Sequence, residues 1–126
     1  MPVNGLPPYD PNNIFARILR GEIPCRKVYE DAFALAFHDI NPQAPVHVLV
    51  IPKGEYVSMD DFAANASEAE IAALFRSVRT VAKMLGVAES GWRMLANIGE
   101  HSGQEVPHLH IHIFGGRPLG PMLVRH

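Results

Sequence analysis

Three histidines alternate with apolar residues near the C-terminal end of the chain, in the run His108-Leu109-His110-Ile111-His112. Along a β-strand, side chains two residues apart point to the same face, about 6.6–7 Å apart per step. The run therefore predicts a strand over residues 108–114 that carries three imidazoles on one face and apolar side chains on the core face. Imidazole titrates near neutral pH, so this row could bind a metal, transfer protons or attack an electrophile.

Metal binding and phosphate chemistry are the two specific interpretations of the histidine row; the third is a solvated sheet face without a special role. Zinc accepts neutral imidazole at roughly 2.0–2.1 Å, but the outer histidines lie roughly 13 Å apart on a straight strand, so another ligand, His47 or Asp39, would be needed. In phosphate chemistry, neighbouring imidazoles act separately as nucleophile, proton donor and hydrogen-bond donor to phosphoryl oxygens. The spacing favours phosphate chemistry.

The loop before the histidine row has the composition of an anion-binding loop. Gly99 and Gly103 would let backbone N–H groups approach an anion closely, and Ser102 and Gln104 would add side-chain donors. Gly115-Gly116 then ends the predicted strand without crowding the site. We therefore expect a phosphate to lie between this loop and the imidazoles.

Composition limits the class of protein. The 126 residues, 48% hydrophobic and 19% charged, suit one globular domain. A formal net charge of -2 gives no electrostatic reason to expect nucleic-acid binding, and the single Cys25 excludes an intramolecular disulfide. No apolar run approaches the roughly 20 residues that span a bilayer, and no secretory signal is apparent, so we expect no membrane partner and a cytoplasmic protein.

Other sequence signals predict the elements that must position the histidines. Prolines mark residues 1–11 as a flexible N-terminal arm, and residues 12–126 form one domain that includes the C-terminal tail. Asn12 or Asn13 caps a helix that extends to Arg20, and Ser67 with Glu70 forms a capping box for a longer helix that ends near Gly86. Strands are predicted at residues 26–30, 32–39, 46–51, 91–97 and 108–114. The order indicates an α+β fold, a mainly antiparallel five-stranded sheet with two main helices.

The sequence resembles the histidine triad (HIT) superfamily, and within it the bacterial-type members of the Hint branch. The resemblance begins with the alternating histidines and extends in order from about Asn12 to Met122. Besides the triad it includes Ile14-Phe15, Glu22-Ile23-Pro24, the run from Ala36 to His47, Val50-Ile51-Pro52-Lys53, Gly103-Gln104-Glu105-Val106-Pro107, and the run from Gly115 to Met122.

The resemblance implies a purine nucleoside phosphoramidase, a nucleotidyl hydrolase that acts through a nucleotidyl-histidine. It implies that His110 is the nucleophile, that His112 contacts the phosphate, and that His108 orients the nucleophile, while His47 is a fourth histidine of the active site. It also implies a homodimer, for which residues 119–124 would be a partner-contacting arm. No cofactor is expected to be required; zinc could bind but is not expected to be catalytic.

A purine nucleotide pocket is also implied by the resemblance. The base would lie among apolar and aromatic walls, the ribose against Asp39, and the phosphate and ribose beside the loop before the triad. Glu105 departs from the animal-type pattern, and we expect it to present only its backbone N–H or to point to solvent. The nucleotide-binding residues are then Ile14, Phe15, Ile18, Phe37, His38, Asp39, Ile40, Asn97, Gly103, Gln104, Glu105 and Val106.

Three alternatives to the phosphoramidase remain. One is a dinucleoside polyphosphate hydrolase of the same superfamily. Another is a nucleotidyl transferase, although in that branch glutamine replaces the third histidine, whereas His112 is present here. The third is a nucleotide- or zinc-binding regulatory module without a physiological reaction.

Overall fold

One five-stranded antiparallel sheet organises the computed structural model, which describes residues 2–123. The strands lie in the order β1-β2-β3-β5-β4, so β3 and β5, which carry the site, are adjacent. The elements in chain order are α1 (Ile14–Leu19), β1 (Lys27–Glu30), β2 (Ala34–His38), β3 (Val46–Pro52), α2 (Met59–Asn65), α3 (Glu68–Met84), β4 (Arg93–Leu95), a short 3-10 helix (Glu100–Ser102) and β5 (Ile111–Gly115).

Alternation along the central strands divides the core between the two faces of the sheet. Val48 and Val50 of β3 face α3 together with Ile111 and Ile113 of β5, and all four are fully buried. The opposite face carries the apolar side chains that pack against Phe15 of α1, namely Leu35, Phe37, Leu49 and Ile51. His47 and His112 belong to this second face by the same alternation. The site therefore lies on the α1 face of the sheet.

Both predicted helix starts are confirmed. The Asn13 side chain accepts a hydrogen bond from the backbone N–H of Ala16 and caps α1. Ser67 and Glu70 make both hydrogen bonds of a capping box at the start of α3, and Gly86 follows its end with φ of 76°. Such caps satisfy N–H groups that the first helical turn leaves without partners. None of the helices in residues 2–123 is long and apolar enough to cross a membrane.

The last strand, β5, is shorter than predicted. It begins at Ile111, whereas the sequence predicted a start at His108. Its ladder with β3 runs up to the pair Val50 and Ile111. Pro52, which the same register would bring opposite Leu109, has no N–H to donate. The N–H of Leu109 instead donates to the Tyr56 carbonyl, 2.8 Å away. The side-chain alternation continues nevertheless, since Leu109 lies in the same core cluster as Ile111.

Further differences concern the flanking segments. A third helix, α2, follows Ser58 and was not predicted; Asp60 and Asp61 in its first turn suit the positive end of the helix dipole. Strand β4 covers only three residues of the predicted 91–97. The predicted flexible arm contacts the domain: the N–H of Val3 donates to the Gln104 carbonyl, and the Ser58 hydroxyl donates to the Gly5 carbonyl. Of the C-terminal tail, residues 124–126 lie outside the described residues.

Candidate active site

His47 and His112 meet because β3 and β5 are neighbours in the sheet. The register pairs His47 with Phe114 and Leu49 with His112, which places the two histidines diagonally across the ladder. Nε2 of His47 lies 2.9 Å from Nδ1 of His112. The fourth histidine predicted at the site is therefore in direct contact with the third histidine of the triad.

The proton positions of this pair follow from the backbone. The N–H of Gln43 donates to Nδ1 of His47 at 3.1 Å, so Nδ1 carries no proton and Nε2 of the neutral ring does. His47 then donates from Nε2 to Nδ1 of His112. The proton of neutral His112 is consequently on Nε2, which is buried and has no hydrogen-bond partner among residues 2–123. A buried N–H donor without a partner is costly unless a ligand accepts its hydrogen bond.

His110 has the complementary arrangement. Its Nδ1 lies 2.7 Å from the backbone carbonyl of His108, and a carbonyl oxygen only accepts hydrogen bonds. The proton of neutral His110 is therefore on Nδ1, and the lone pair is on Nε2. Rings of His110 and His112 lie 5.1 Å apart, and Phe15 packs edge-on against His110 at 5.0 Å. The site thus offers one free imidazole lone pair and one free imidazole N–H side by side.

His108 is enclosed and does not face the cavity. Its side chain is fully buried, with Nε2 2.8 Å from the Pro52 carbonyl and Nδ1 2.7 Å from the Tyr9 hydroxyl. Both ring nitrogens are therefore satisfied. This histidine can act on a ligand only through its neighbours, which agrees with the orienting role that the resemblance implies for it.

Burial keeps the histidines of the site neutral. Together with a smaller effect of neighbouring imidazoles, it lowers the pKa of His108 and of His112 to about 4, against the opposing effects of the Pro52 carbonyl on His108 and of Asp39 on His112. Burial also lowers the pKa of His110, against the opposing effects of the His108 carbonyl, Asp39 and Glu105. For His47, burial lowers the pKa and the Asp39 carboxylate partly opposes it. A neutral imidazole is the form that can attack an electrophile.

Two adjoining cavities open on this face. The first, of about 250 Å³, lies beside His110 and His112 and is lined also by Phe15, Asp39, Asn97, Gly103, Glu105 and Val106. The second, of about 550 Å³, shares Phe15, Asp39 and His112 with it and extends under α1. The predicted residues that line this second cavity are Ile14, Phe15, Ile18, Phe37, His38, Asp39, Ile40, Glu105 and Val106. Eleven of the twelve predicted pocket residues, all except Gln104, thus line one or both cavities.

Gln104 and the glycines of the preceding loop do not supply the predicted anion donors. The Gln104 side chain is buried and donates to the carbonyls of Val57 and Val106, while its oxygen accepts from the N–H of Gly99. The N–H of Gly103 donates to the Glu100 carbonyl. The loop therefore uses these donors to stabilise itself. Ser102 likewise donates its hydroxyl to the Gly99 carbonyl.

Glu105 fits the expectation made for it. It lines both cavities, its side chain is exposed, and its backbone N–H makes no hydrogen bond to any residue in 2–123. Asp39 receives a hydrogen bond from the Asn41 N–H on one carboxylate oxygen, and the other oxygen lies 3.5 Å from Nε2 of His47. Each carboxylate oxygen has a further lone pair with which to accept a ligand hydroxyl.

Sequence reasoning missed several residues of the site. Leu49 lines both cavities, and its position two residues after His47 on β3 would have placed it there. Cys25 and Arg26, in the segment after α1, line the second cavity of about 550 Å³, and no sequence pattern indicated them. Tyr9 contacts His108 from a segment that was expected to be flexible.

Asp39, His47 and His112 also meet a geometric requirement for metal binding. One ligand atom of each lies within 4.8 Å of the others, as expected if a ligand from elsewhere joined the triad. However, Nε2 of His47 lies at hydrogen-bond distance, 2.9 Å, from Nδ1 of His112, and 3.5 Å from a carboxylate oxygen of Asp39. The arrangement is explained by that hydrogen bond.

A larger cavity, of about 720 Å³, lies away from the histidines, between the end of α3 and residues 116–119. Its lining includes Trp92, Arg93 and Arg117 but no imidazole and no carboxylate from the described part of the chain. It offers neither a nucleophile with a neighbouring base nor the free donor that His112 provides. The candidate chemistry therefore lies in the two smaller cavities.

Comparison with known proteins agrees with this geometry. Residues 20–119 match the HIT domain family. The chain is similar to a 13.2 kDa HIT-like protein of Azospirillum brasilense, with 70% identity over 93% of this chain and 96% of the relative. It is also similar to a purine nucleoside phosphoramidase of Escherichia coli K12, with 44% identity over 87% of this chain and 92% of the relative.

Solved structures show the same fold. A HIT family hydrolase from Clostridium thermocellum aligns with a TM-score of 0.81 and 40% identity, covering 90% of this chain and 97% of the other. A histidine triad protein from Clostridium difficile aligns with a TM-score of 0.79 and 43% identity, over 87% and 95% of the two chains. The chain belongs to the HIT domain family, and the Escherichia coli relative supports the Hint-like branch.

Proposed function

We propose that this protein is a purine nucleoside phosphoramidase, which hydrolyses the P–N bond of adenosine or guanosine 5′-phosphoramidates through a nucleotidyl-histidine on His110. The observation that carries the proposal is the hydrogen bond from Nδ1 of His110 to the His108 carbonyl. It leaves the Nε2 lone pair free beside a cavity of about 250 Å³. The name of the Escherichia coli relative supports the same activity.

The reaction has two displacements at the α-phosphorus. Nε2 of His110 attacks phosphorus, a nitrogen–phosphorus bond forms, and the P–N bond to the departing amine breaks as the amine takes up a proton from solvent. Water then attacks the same phosphorus and breaks its bond to His110. The attacking water releases one proton to solvent, which balances the proton taken up by the amine. Nucleoside monophosphate is released, and the sum is hydrolysis without a cofactor. Covalent catalysis of this kind divides one difficult displacement into two easier ones.

His112 stabilises the phosphoryl group in this proposal. Its Nε2–H is the buried donor without a partner among the described residues, and a phosphoryl oxygen is the acceptor that would satisfy it. The backbone N–H of Glu105 can donate to a second oxygen, while the Glu105 carboxylate, on an exposed side chain, stays in solvent. These two donors replace the loop glycines that the sequence had suggested.

The nucleoside occupies the second cavity, the one of about 550 Å³ that extends under α1. Its apolar lining, which includes Phe15, Ile18 and Phe37, suits the flat ring of a purine. Asp39 lies where the two cavities meet and accepts hydrogen bonds from the ribose hydroxyls. Asp39 thereby joins the base-binding cavity to the phosphate-binding one.

The proposal is tested with a substrate panel. Purified wild-type protein is assayed against adenosine and guanosine 5′-phosphoramidates and against diadenosine polyphosphates at equal enzyme concentration. We expect faster turnover of the phosphoramidates; faster turnover of the polyphosphates would instead indicate a dinucleoside polyphosphate hydrolase. His110→Ala should lose about a thousandfold or more in kcat and still bind nucleotide. The matched control is His101→Ala, an exposed histidine of the 3-10 helix, which should stay within about twofold of wild type.

A homodimer is part of the same proposal, because the resemblance implies one. In support, β4 is an edge strand of the sheet, and Met94 on it is exposed. An apolar edge strand can pair with the same strand of a second copy. Sedimentation at micromolar concentration should give twice the 13.9 kDa chain mass; a monomer would contradict this part of the proposal.

A further inference from the structure

We propose that Tyr9, in the segment before α1, is a positioning residue of the active site that fixes the proton arrangement of His108 and thereby the backbone carbonyl that orients His110. Its effect on the reaction rests on the proposed function, whereas its effect on His108 does not. The two residues are 99 positions apart in the chain, and their contact brings the N-terminal segment into the site.

The contact is specific in both distance and orientation. The Tyr9 hydroxyl oxygen lies 2.7 Å from Nδ1 of His108, and the two rings meet edge to face with centroids 5.6 Å apart. His108 is fully buried, so solvent does not reach Nδ1 while Tyr9 is in place. Nδ1 would be a buried acceptor without a partner if this hydroxyl were absent.

Only one proton arrangement satisfies His108. The Pro52 carbonyl, 2.8 Å from Nε2, can only accept a hydrogen bond, so Nε2 carries the proton of the neutral ring. Nδ1 then has only a lone pair, and the Tyr9 hydroxyl must donate to it. Burial raises the pKa of the Tyr9 hydroxyl and keeps its proton in place. Tyr9 and Pro52 therefore hold the ring from its two opposite nitrogens.

The ring of His108 is connected to catalysis by its own backbone. The carbonyl of His108 accepts the hydrogen bond from Nδ1 of His110, at 2.7 Å, and this bond leaves Nε2 of His110 free to attack. A His108 ring that rotates or changes tautomer would disturb the carbonyl beside it. Loss of the Tyr9 hydroxyl would therefore loosen the nucleophile without removing any group that touches the substrate.

Local hydrogen bonds hold Tyr9 against the domain. The carbonyl of Asp10 accepts from the backbone N–H and the side-chain amide of Asn13, the residue that caps α1. On the other side of Tyr9, Ser58 and Gln104 bind the backbone of Gly5 and Val3. The segment is thus fixed at both sides of the tyrosine, as a positioning residue requires.

The test compares Tyr9→Phe with a matched control, Tyr29→Phe, which removes a hydroxyl bound to Asp31 on the β1 side of the sheet. Nitrogen-15 NMR of histidine-labelled protein without ligand reports the tautomer and hydrogen bonding of His108. We expect the His108 Nδ1 signal to move in Tyr9→Phe and to stay in place in Tyr29→Phe. Phenylalanine keeps the edge-to-face ring contact, and thermal unfolding verifies that each variant is folded.

Kinetics then test the consequence for the reaction. With an adenosine phosphoramidate, Tyr9→Phe should lower kcat about tenfold with KM within about twofold of wild type, and Tyr29→Phe should change neither. An unchanged His108 signal in Tyr9→Phe would overturn the proposal, and so would a changed signal with unchanged kcat. If wild-type protein turns over no phosphoramidate while the His108 signal still moves, the proposed function fails and the Tyr9 contact stands.

Discussion

Nε2 of His47 donates to Nδ1 of His112 across 2.9 Å, and this hydrogen bond determines that the other nitrogen of His112, which has no partner among residues 2–123, carries a proton. The backbone N–H of Gln43 fixes the other end of the pair. Through these two hydrogen bonds His47, which lies on β3 outside the triad, determines that Nε2 of His112 is a hydrogen-bond donor.

His47→Ala should therefore lower kcat more than it raises KM. Without His47, Nδ1 of His112 has no donor and the ring can reverse its tautomer, so the phosphoryl oxygen would face a lone pair. We expect a decrease in kcat of about 10- to 100-fold with a phosphoramidate substrate. Steady-state kinetics beside the exposed-residue control His101→Ala provide the measurement. A variant with wild-type kcat would show that the pair has no role in turnover.

Asp39→Asn should act mainly on nucleotide binding. The carboxylate lies where the two cavities meet, and a neutral amide accepts weaker hydrogen bonds from ribose hydroxyls. We expect the Kd for nucleoside monophosphate, measured by calorimetry, to rise about tenfold. The control is Asp60→Asn, a residue of α2 outside both cavities, which should bind as wild type does. Unchanged affinity in Asp39→Asn would remove Asp39 from the ribose site.

Gln104→Ala should lower the stability of the fold and have no direct effect on nucleotide binding. The buried amide makes three hydrogen bonds to backbone groups of Val57, Gly99 and Val106, all of which would lose their partner. We expect the free energy of unfolding to fall by about 2–4 kcal/mol, measured with urea. Glu89→Ala, at an exposed position, should change it by less than about 0.5 kcal/mol. A stable Gln104→Ala variant with reduced nucleotide affinity would instead support a direct binding role.

Acid should destabilise the protein above the range in which carboxylates titrate. The pKa of His108 and of His112 is about 4 in the folded state, whereas the pKa of an unperturbed histidine is 6.5. Between pH 6.5 and 4, these two histidines therefore bind protons in the unfolded chain but stay neutral in the folded one. The stabilisation present above pH 6.5 is lost as pH falls toward 4. Urea unfolding at about pH 7.5, 6 and 5 should show a progressive decrease in the free energy of unfolding. A free energy of unfolding that does not change between about pH 7.5 and 5 would contradict the conclusion that His108 and His112 are buried and neutral.

Strong alternation made much of this site predictable from sequence. The apolar positions at 109, 111 and 113 defined which way the triad histidines point, even though the ladder stops at Ile111. The ladder end itself depends on Pro52 of another strand, and the triad segment alone does not contain that information. The order of β3 beside β5, which brings His47 to His112, follows from the family resemblance and not from either strand's pattern.

The internal hydrogen bonds of the loop before the triad and the contact of Tyr9 with His108 could not be predicted from the sequence, for the same physical reason. A glycine-bearing loop can direct its N–H groups at a ligand or at itself, and only the fold shows that Gln104 fastens this loop internally. Prolines predict a flexible arm over residues 1–11, and they give no sign of the hydrogen bonds that Val3, Gly5 and Tyr9 make to residues far along the chain. Long-range contacts of irregular backbone leave no periodic signal.

The role of His110 is tested most directly by trapping the covalent intermediate. Wild-type protein is mixed with an adenosine 5′-phosphoramidate, quenched within milliseconds and digested for mass spectrometry. We predict an adenylate group on the peptide that contains residues 108–112, attached to His110 through Nε2 and absent from His110→Ala. An adduct on another residue, or full turnover by His110→Ala, would contradict the assignment of the nucleophile.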